Sequence, residues 1–181
     1  MRPLHQFSRT SDVADAMNEL IADRGLKAPS QRQIASTVRL SPGTLMHEYG
    51  SRAEMLRRAC VQVGRDHARV WRERLDETPR GEVSPAALLP TSAADLAHER
   101  LWAAWRELSR GDVALLPGLG LGVEGERDAV DQVRSRLGRE HDDRLSDTAH
   151  ALLVGVITRM LDQDAPWSLD HAAEVVAAGW T

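Results

Sequence analysis

The chain reads as all-α, with a small N-terminal module of three helices followed by a larger helical body. Two observations predict this. Apolar residues recur at three- and four-residue intervals along most of the 181 residues, with almost no strand-like alternation. Gly, Pro and Ser also fall where such periodic stretches begin and end.

The elements follow in order. Val13, Met17, Leu20 and Ile21 share one face of a first helix over about 11–24, with Ser11 as its cap and Gly25 as its stop. A short second helix follows Pro29 and Ser30 and carries Ile34 and Ala35. Arg39, Leu40 and Ser41 make a turn. A third helix starts with Pro42 in its first turn, where the missing N–H is harmless, and ends near Gly50. Ser51 and Glu54 form a capping box for a long fourth helix, whose apolar stripe runs from Met55 to Leu75. Pro79, Gly81 and Pro85 break the pattern. Further helices are expected over about 92–109, 124–139, 146–161 and 168–180, and the Pro- and Gly-rich stretch 115–122 is expected to be a loop.

Charge is uneven. Residues 1–58 carry nine Arg or Lys against six Asp or Glu, whereas the whole chain has net charge −4. A basic module on an acidic body suits contact with a polyanion. The N-terminus lacks the apolar core of a signal peptide. The longest apolar run, 149–156, is about half of the roughly 18 residues that span a bilayer. A cytoplasmic location with no membrane partner is expected. The single cysteine, Cys60, excludes an intrachain disulfide and a multi-cysteine metal site.

Residues 30–56 carry the functional signal. Two short helices joined by a three-residue turn and preceded by a supporting helix form a helix-turn-helix, whose second helix fits the major groove of DNA. Its outward positions are Pro42, Gly43, Thr44, Met46 and His47. The helix N-termini at Ser30, Gln31 and Ser41 offer backbone amides to phosphates.

The segments Ile34-Ala35, Ser41-Pro42-Gly43-Thr44-Leu45 and Tyr49-Gly50-Ser51-Arg52-Ala53-Glu54-Met55-Leu56 resemble the tetracycline-repressor (TetR) family of bacterial transcription regulators. The match covers about residues 11–60. It implies a DNA-binding domain over 1–56, including the start of a connecting helix, and a ligand-binding and dimerisation domain over 57–181. It also implies a cytoplasmic homodimer that binds double-stranded palindromic operator DNA, usually as a repressor, and is released by a small-molecule effector. By position, Arg32 matches a base- or phosphate-contacting residue, Thr44 and His47 match groove-facing residues, and Arg52 matches a phosphate-binding lysine. The chain departs from the family pattern at Val38-Arg39, Met46 and Glu48. A left-handed arginine at position 39 costs about 1 kcal/mol relative to glycine.

The middle helices are expected to enclose a small, mostly apolar ligand among Cys60, Val63, His67, Trp71, Trp102, Trp105 and Arg106. The tryptophans either stack on that ligand or fill the core. The dimer is expected to form through Leu152, Leu153, Val156, Ile157, Met160, Val176 and Trp180, because 146–161 is apolar on more than one face. His141, Asp142 and Asp143 have ligand chemistry, but adjacent helical side chains diverge, and a solvated helix end is expected with no metal and no cofactor. No nucleophile elbow, phosphate loop or helical metal motif points to an enzyme. The competing function is a protein-interaction module of the same fold that has lost specific DNA binding.

Overall fold

The computed structural model describes the backbone of residues 5–24 and 29–180 and the side chains of 13–22, 29–79 and 81–180. The described residues form eight α-helices: α1 (His5–Arg24), α2 (Gln31–Thr37), α3 (Pro42–Tyr49), α4 (Arg52–Glu77), α5 (Ala93–Ser109), α6 (Leu116–Arg136), α7 (Asp143–Met160) and α8 (Leu169–Gly179). Short 3₁₀ turns lie at Arg80–Glu82, Pro85–Leu88 and Val113–Leu115. No strand occurs among the described residues. Two compact units result, one within 1–65 and 101–121, the other within 66–100 and 122–181.

In the first unit α1 packs on α2 and α2 on α3. Val13, Met17 and Ile21 of α1 are buried, as are Ile34, Ala35, Leu45 and Tyr49. Helix α1 begins at His5 rather than at 11, since residues 5–10 hold no Gly or Pro to stop it. The expected cap Ser11 and stop Gly25 lie outside the described side chains.

The stretch expected as a loop over 115–122 is instead mostly helix, as the first turns of α6. Gly118 is a packing residue there. A Cβ at Gly118 would lie 2.6 Å from the backbone carbonyl carbon of Cys60 on α4. In the second unit, a Cβ at Gly125 would lie 2.2 Å from that of Ala68. The two glycines are seven residues apart and so share a helix face. Their missing side chains let α6 approach α4 at backbone distance in each unit. Helix α6 ends at Arg136, three residues before the expected stop, because Gly138 takes φ 70° and turns the chain.

Helix α7 begins at Asp143, not at 146. Asp142 is its cap, accepting from the Leu145 amide at 3.0 Å. Ser146 is buried and donates its hydroxyl to Asp131. The core of the second unit gathers Trp71, Leu75, Leu88, Leu89, Val130 and Val133 with Leu153, Val156, Ile157, Met160, Val176 and Trp180. These last six were expected at a subunit interface, and in the protomer they are buried. Helix α7 is apolar on several faces because α6 and α8 supply core on more than one side. Of the expected interface residues only Leu152 is half-buried, and a Cβ at Gly179 of α8 would lie 2.7 Å from its Cδ2. The outward face of α7 presents Thr148, Ala151, Gly155 and Thr158.

Candidate functional site

The helix-turn-helix is built by local chemistry. At α2 the Ser30 side chain accepts from the Gln33 amide, and the Gln33 side-chain oxygen accepts from the Ser30 amide at 2.8 Å, a reciprocal capping box. The helix closes on Arg39, whose φ is 56°. The Leu40 amide reaches back to the Ala35 carbonyl at 2.9 Å and the Arg39 amide to the Ser36 carbonyl at 3.2 Å. This is the paired closure that glycine ordinarily makes, here carried by an arginine. Arg39 then lines a groove of about 390 Å³ with Asp15 and Glu19 of α1.

Helix α3 opens on Ser41, which accepts from the Thr44 amide at 3.0 Å, with Pro42 in the first turn. Leu45 and Tyr49 point inward, while Pro42, Gly43, Thr44, Met46 and His47 are exposed. The expected outward face of the reading helix is therefore the outward face of α3. The Thr44 hydroxyl lies 2.8 Å from that of Ser41, which leaves its methyl group turned to other contacts. Glu48 is also exposed. Arg32 projects outward from α2, and Ser30 and Ser41 are exposed caps. Gln31 is half-buried, and its amide nitrogen is shielded without a hydrogen-bond partner among the described residues. Arg52 is exposed and donates its Nε–H to the Pro29 carbonyl at 2.7 Å, tying the start of α4 to the chain entering α2. At the start of α4 the Ser51 side chain accepts from the Glu54 amide at 3.2 Å, and the Glu54 carboxylate pairs with Arg57 and Arg58.

The residues expected around a ligand divide between the two units. In the first, Cys60, Val63, Trp102 and Trp105 are buried and Arg106 is exposed. The Cys60 thiol donates to the Leu115 carbonyl at 3.4 Å, and burial pushes it up to about 11, so it stays a protonated, unreactive core group. Trp105 donates its indole N–H to Asn18 at 3.0 Å. In the second unit His67 and Trp71 are both buried. Trp71 donates to Glu99 at 3.2 Å, and Arg74 holds the same carboxylate at 2.7 Å.

His67 is part of a polar cluster that sequence reasoning missed. Its Nε2 lies 2.7 Å from Glu126 Oε1, and His150 Nε2 lies 2.6 Å from Glu126 Oε2. On its other side His67 Nδ1 lies 3.1 Å from His98 Nε2, with the two rings stacked. Helices α4, α5, α6 and α7 each contribute one member. Glu126 is 1% exposed. Burial alone raises a carboxyl pKa, but the hydrogen bonds from His150 and His67 outweigh it and hold Glu126 at about 2. His98 is pushed down to about 4, first by burial and then by the charge of His67. A sequence signal existed. Glu126 sits on the same register as Ala129, Val130 and Val133, so a carboxylate occupies a core position of α6.

His141 pairs at the surface with Asp143 at 3.2 Å, while Asp142 serves as the α7 cap. No group of three or more His, Cys, Asp or Glu among the described residues is arranged to hold a metal. No helix among the described residues is long and apolar enough to cross a membrane.

No protein-family model and no curated protein matches the chain. Solved structures do. A TetR-family member from Streptomyces coelicolor A3 aligns at TM-score 0.69 and 19% identity, covering 94% of this chain and 97% of its own. A transcriptional regulator from Rhodococcus sp. Rha1 aligns at TM-score 0.71 and 21% identity, covering 93% and 94%. The multidrug binding protein EbrR, complexed with proflavin, aligns at TM-score 0.66 and 20% identity, covering 94% and 99%. At these identities the likeness is one of fold. This chain has the TetR-family fold: all-helical, with an N-terminal helix-turn-helix followed by a helical C-terminal part.

Proposed function

We propose that this protein is a ligand-responsive transcription regulator that binds a palindromic operator as a homodimer and acts as a repressor. The observation that carries the reading is α3, which buries Leu45 and Tyr49 and turns Pro42, Gly43, Thr44, Met46 and His47 outward. Small residues at its start permit close approach to the DNA backbone, and its N-terminal amides favour phosphate. Thr44, with its hydroxyl directed to Ser41, offers a methyl group suited to thymine. Arg32 supplies a flanking base or phosphate contact and Arg52 a phosphate contact. The functional division remains residues 1–56 for DNA and 57–181 for ligand and partner subunit. The effector is small and mostly apolar, bound within the helical body, and proflavin held by EbrR is an example of a ligand on this fold.

A second reading is an interaction module without specific DNA binding. Exposed Met46 and Glu48 on α3 favour it, since an acid on the reading face repels phosphate.

Selection of binding sites from random DNA, followed by a salt titration on the selected site, decides between them. Specific binding with a log K that falls steeply against log salt supports the regulator. Absence of any enriched sequence, with no salt-dependent affinity, leaves the interaction module. Arg32→Ala is expected to lose about 1–3 kcal/mol of operator affinity while keeping its helical spectrum.

A further inference from the structure

The last turn of α6 holds a buried positive charge that has no counter-ion among the described residues. Arg134, in the last turn of α6, is only 6% exposed. Its one side-chain hydrogen bond among the described residues is from Nη2 to the Glu140 carbonyl, at 3.5 Å, and its shielded Nε has no partner among them. It forms no ion pair among the described residues. The backbone produces this arrangement. The Gly138 amide bonds the Ser135 carbonyl and the Arg139 amide bonds the Arg134 carbonyl, each at 3.0 Å, which folds residues 139–141 back over the guanidinium. Beside it lies a cavity of about 320 Å³, lined also by Gln132, Ser135, Arg139 and His141. Two acids border the cavity. Asp131 accepts from the Ser146 hydroxyl, and Glu140 is exposed.

A buried guanidinium is expected to be paired, because its desolvation is otherwise uncompensated. We propose that this cavity is a binding site for a small dianion, phosphoryl or polycarboxylate, that pairs with Arg134 and is gripped from the solvent side by Arg139. A planar guanidinium fork suits the paired oxygens of either group. The Ser135 hydroxyl, the Gln132 amide and the His141 ring supply further donors.

Thermal unfolding of the full chain tests this, with inorganic phosphate as one probe and citrate as the other, each against sodium chloride at matched ionic strength. The expected result is a saturable rise in Tm with phosphate or citrate that chloride does not reproduce. The anion with the lower half-saturating concentration identifies the headgroup. Arg134→Met abolishes the rise, and in phosphate-free buffer it is at least as stable as the parent, because an unpaired buried charge has been removed. Arg139→Gln, an exposed change that leaves the fold intact, raises the half-saturating concentration about tenfold or more. Equal shifts with chloride overturn the site, as does a saturable shift that survives Arg134→Met or Arg139→Gln. Destabilisation by Arg134→Met with no anion response in the parent also overturns it, and makes Arg134 a latch on the loop or a contact of a second subunit.

Discussion

Arg39 shows how a single residue can hold a motif at a cost. Its φ of 56° is the conformation that side chains other than glycine adopt least readily, yet the turn between α2 and α3 needs it. Arg39→Gly is expected to stabilise the protein by about 1 kcal/mol in urea unfolding. A loss of stability would mean that the side chain's place beside Asp15 and Glu19 outweighs the strain. The buried cluster makes a second prediction, in pH. His98 has a folded pKa near 4 against an ordinary 6.5, so the unfolded chain binds its proton first. Its contribution is therefore fully present above pH 6.5 and is lost as pH falls from 6.5 to 4. Glu126, held at about 2 against 4.5, contributes above 4.5 and loses that contribution as pH falls toward 2. Stability should rise with pH across both windows. His98→Gln should flatten the upper window and leave the lower one. An unchanged slope between pH 4 and 6.5 would remove His98 as its source.

At the scale of the element, the glycines of α6 have opposite expected effects in one helix. Ala is a better helix former than Gly by about 0.8–1 kcal/mol. At Gly120 a Cβ meets nothing within 4 Å, so Gly120→Ala should stabilise by up to about 1 kcal/mol. At Gly125 the new Cβ would lie 2.2 Å from Ala68 Cβ, and at Gly118 it would lie 2.6 Å from the Cys60 backbone. Overpacking of this kind costs about 1–3 kcal/mol and exceeds the propensity gain, so both changes should destabilise. Urea midpoints for the three variants check the contrast. If all three stabilise, α6 has room to move away from α4.

At the scale of the molecule, the proposed homodimer must use surface that the protomer leaves exposed. Val156 and Ile157 are 3% and 4% exposed, and a charge there would disrupt the core before it tested an interface. The available face of α7 is Thr148, Ala151, Gly155 and Thr158, and a Cβ at Gly155 meets nothing within 4 Å. Ala151→Glu and Gly155→Glu should each give folded monomers by sedimentation, with weakened binding to a palindrome. A dimer that survives both places the interface on another face.

Local chemistry determined much of this protein. The capping box at Ser30, the Ser41-Pro42 start of α3 and the Ser168 cap of α8 are signals within a few residues of each other, and each helix start lies where they put it. The helical fold and the outward face of α3 follow from such signals and from periodicity. Tertiary packing decided the rest. Glycine in 115–122 signals a loop when only propensity is considered, but most of the stretch is helix, and at Gly118 the neighbouring α4 lies too close for any side chain. The apolar faces of α7 signal a partner subunit, and they are filled by the protomer's own α6 and α8 because burial depends on what lies opposite. His67, His98, Glu126 and His150 are 24 to 31 residues from one chain neighbour in the cluster to the next. Only the packing of four helices brings these polar groups within hydrogen-bond reach, where each compensates the burial of another.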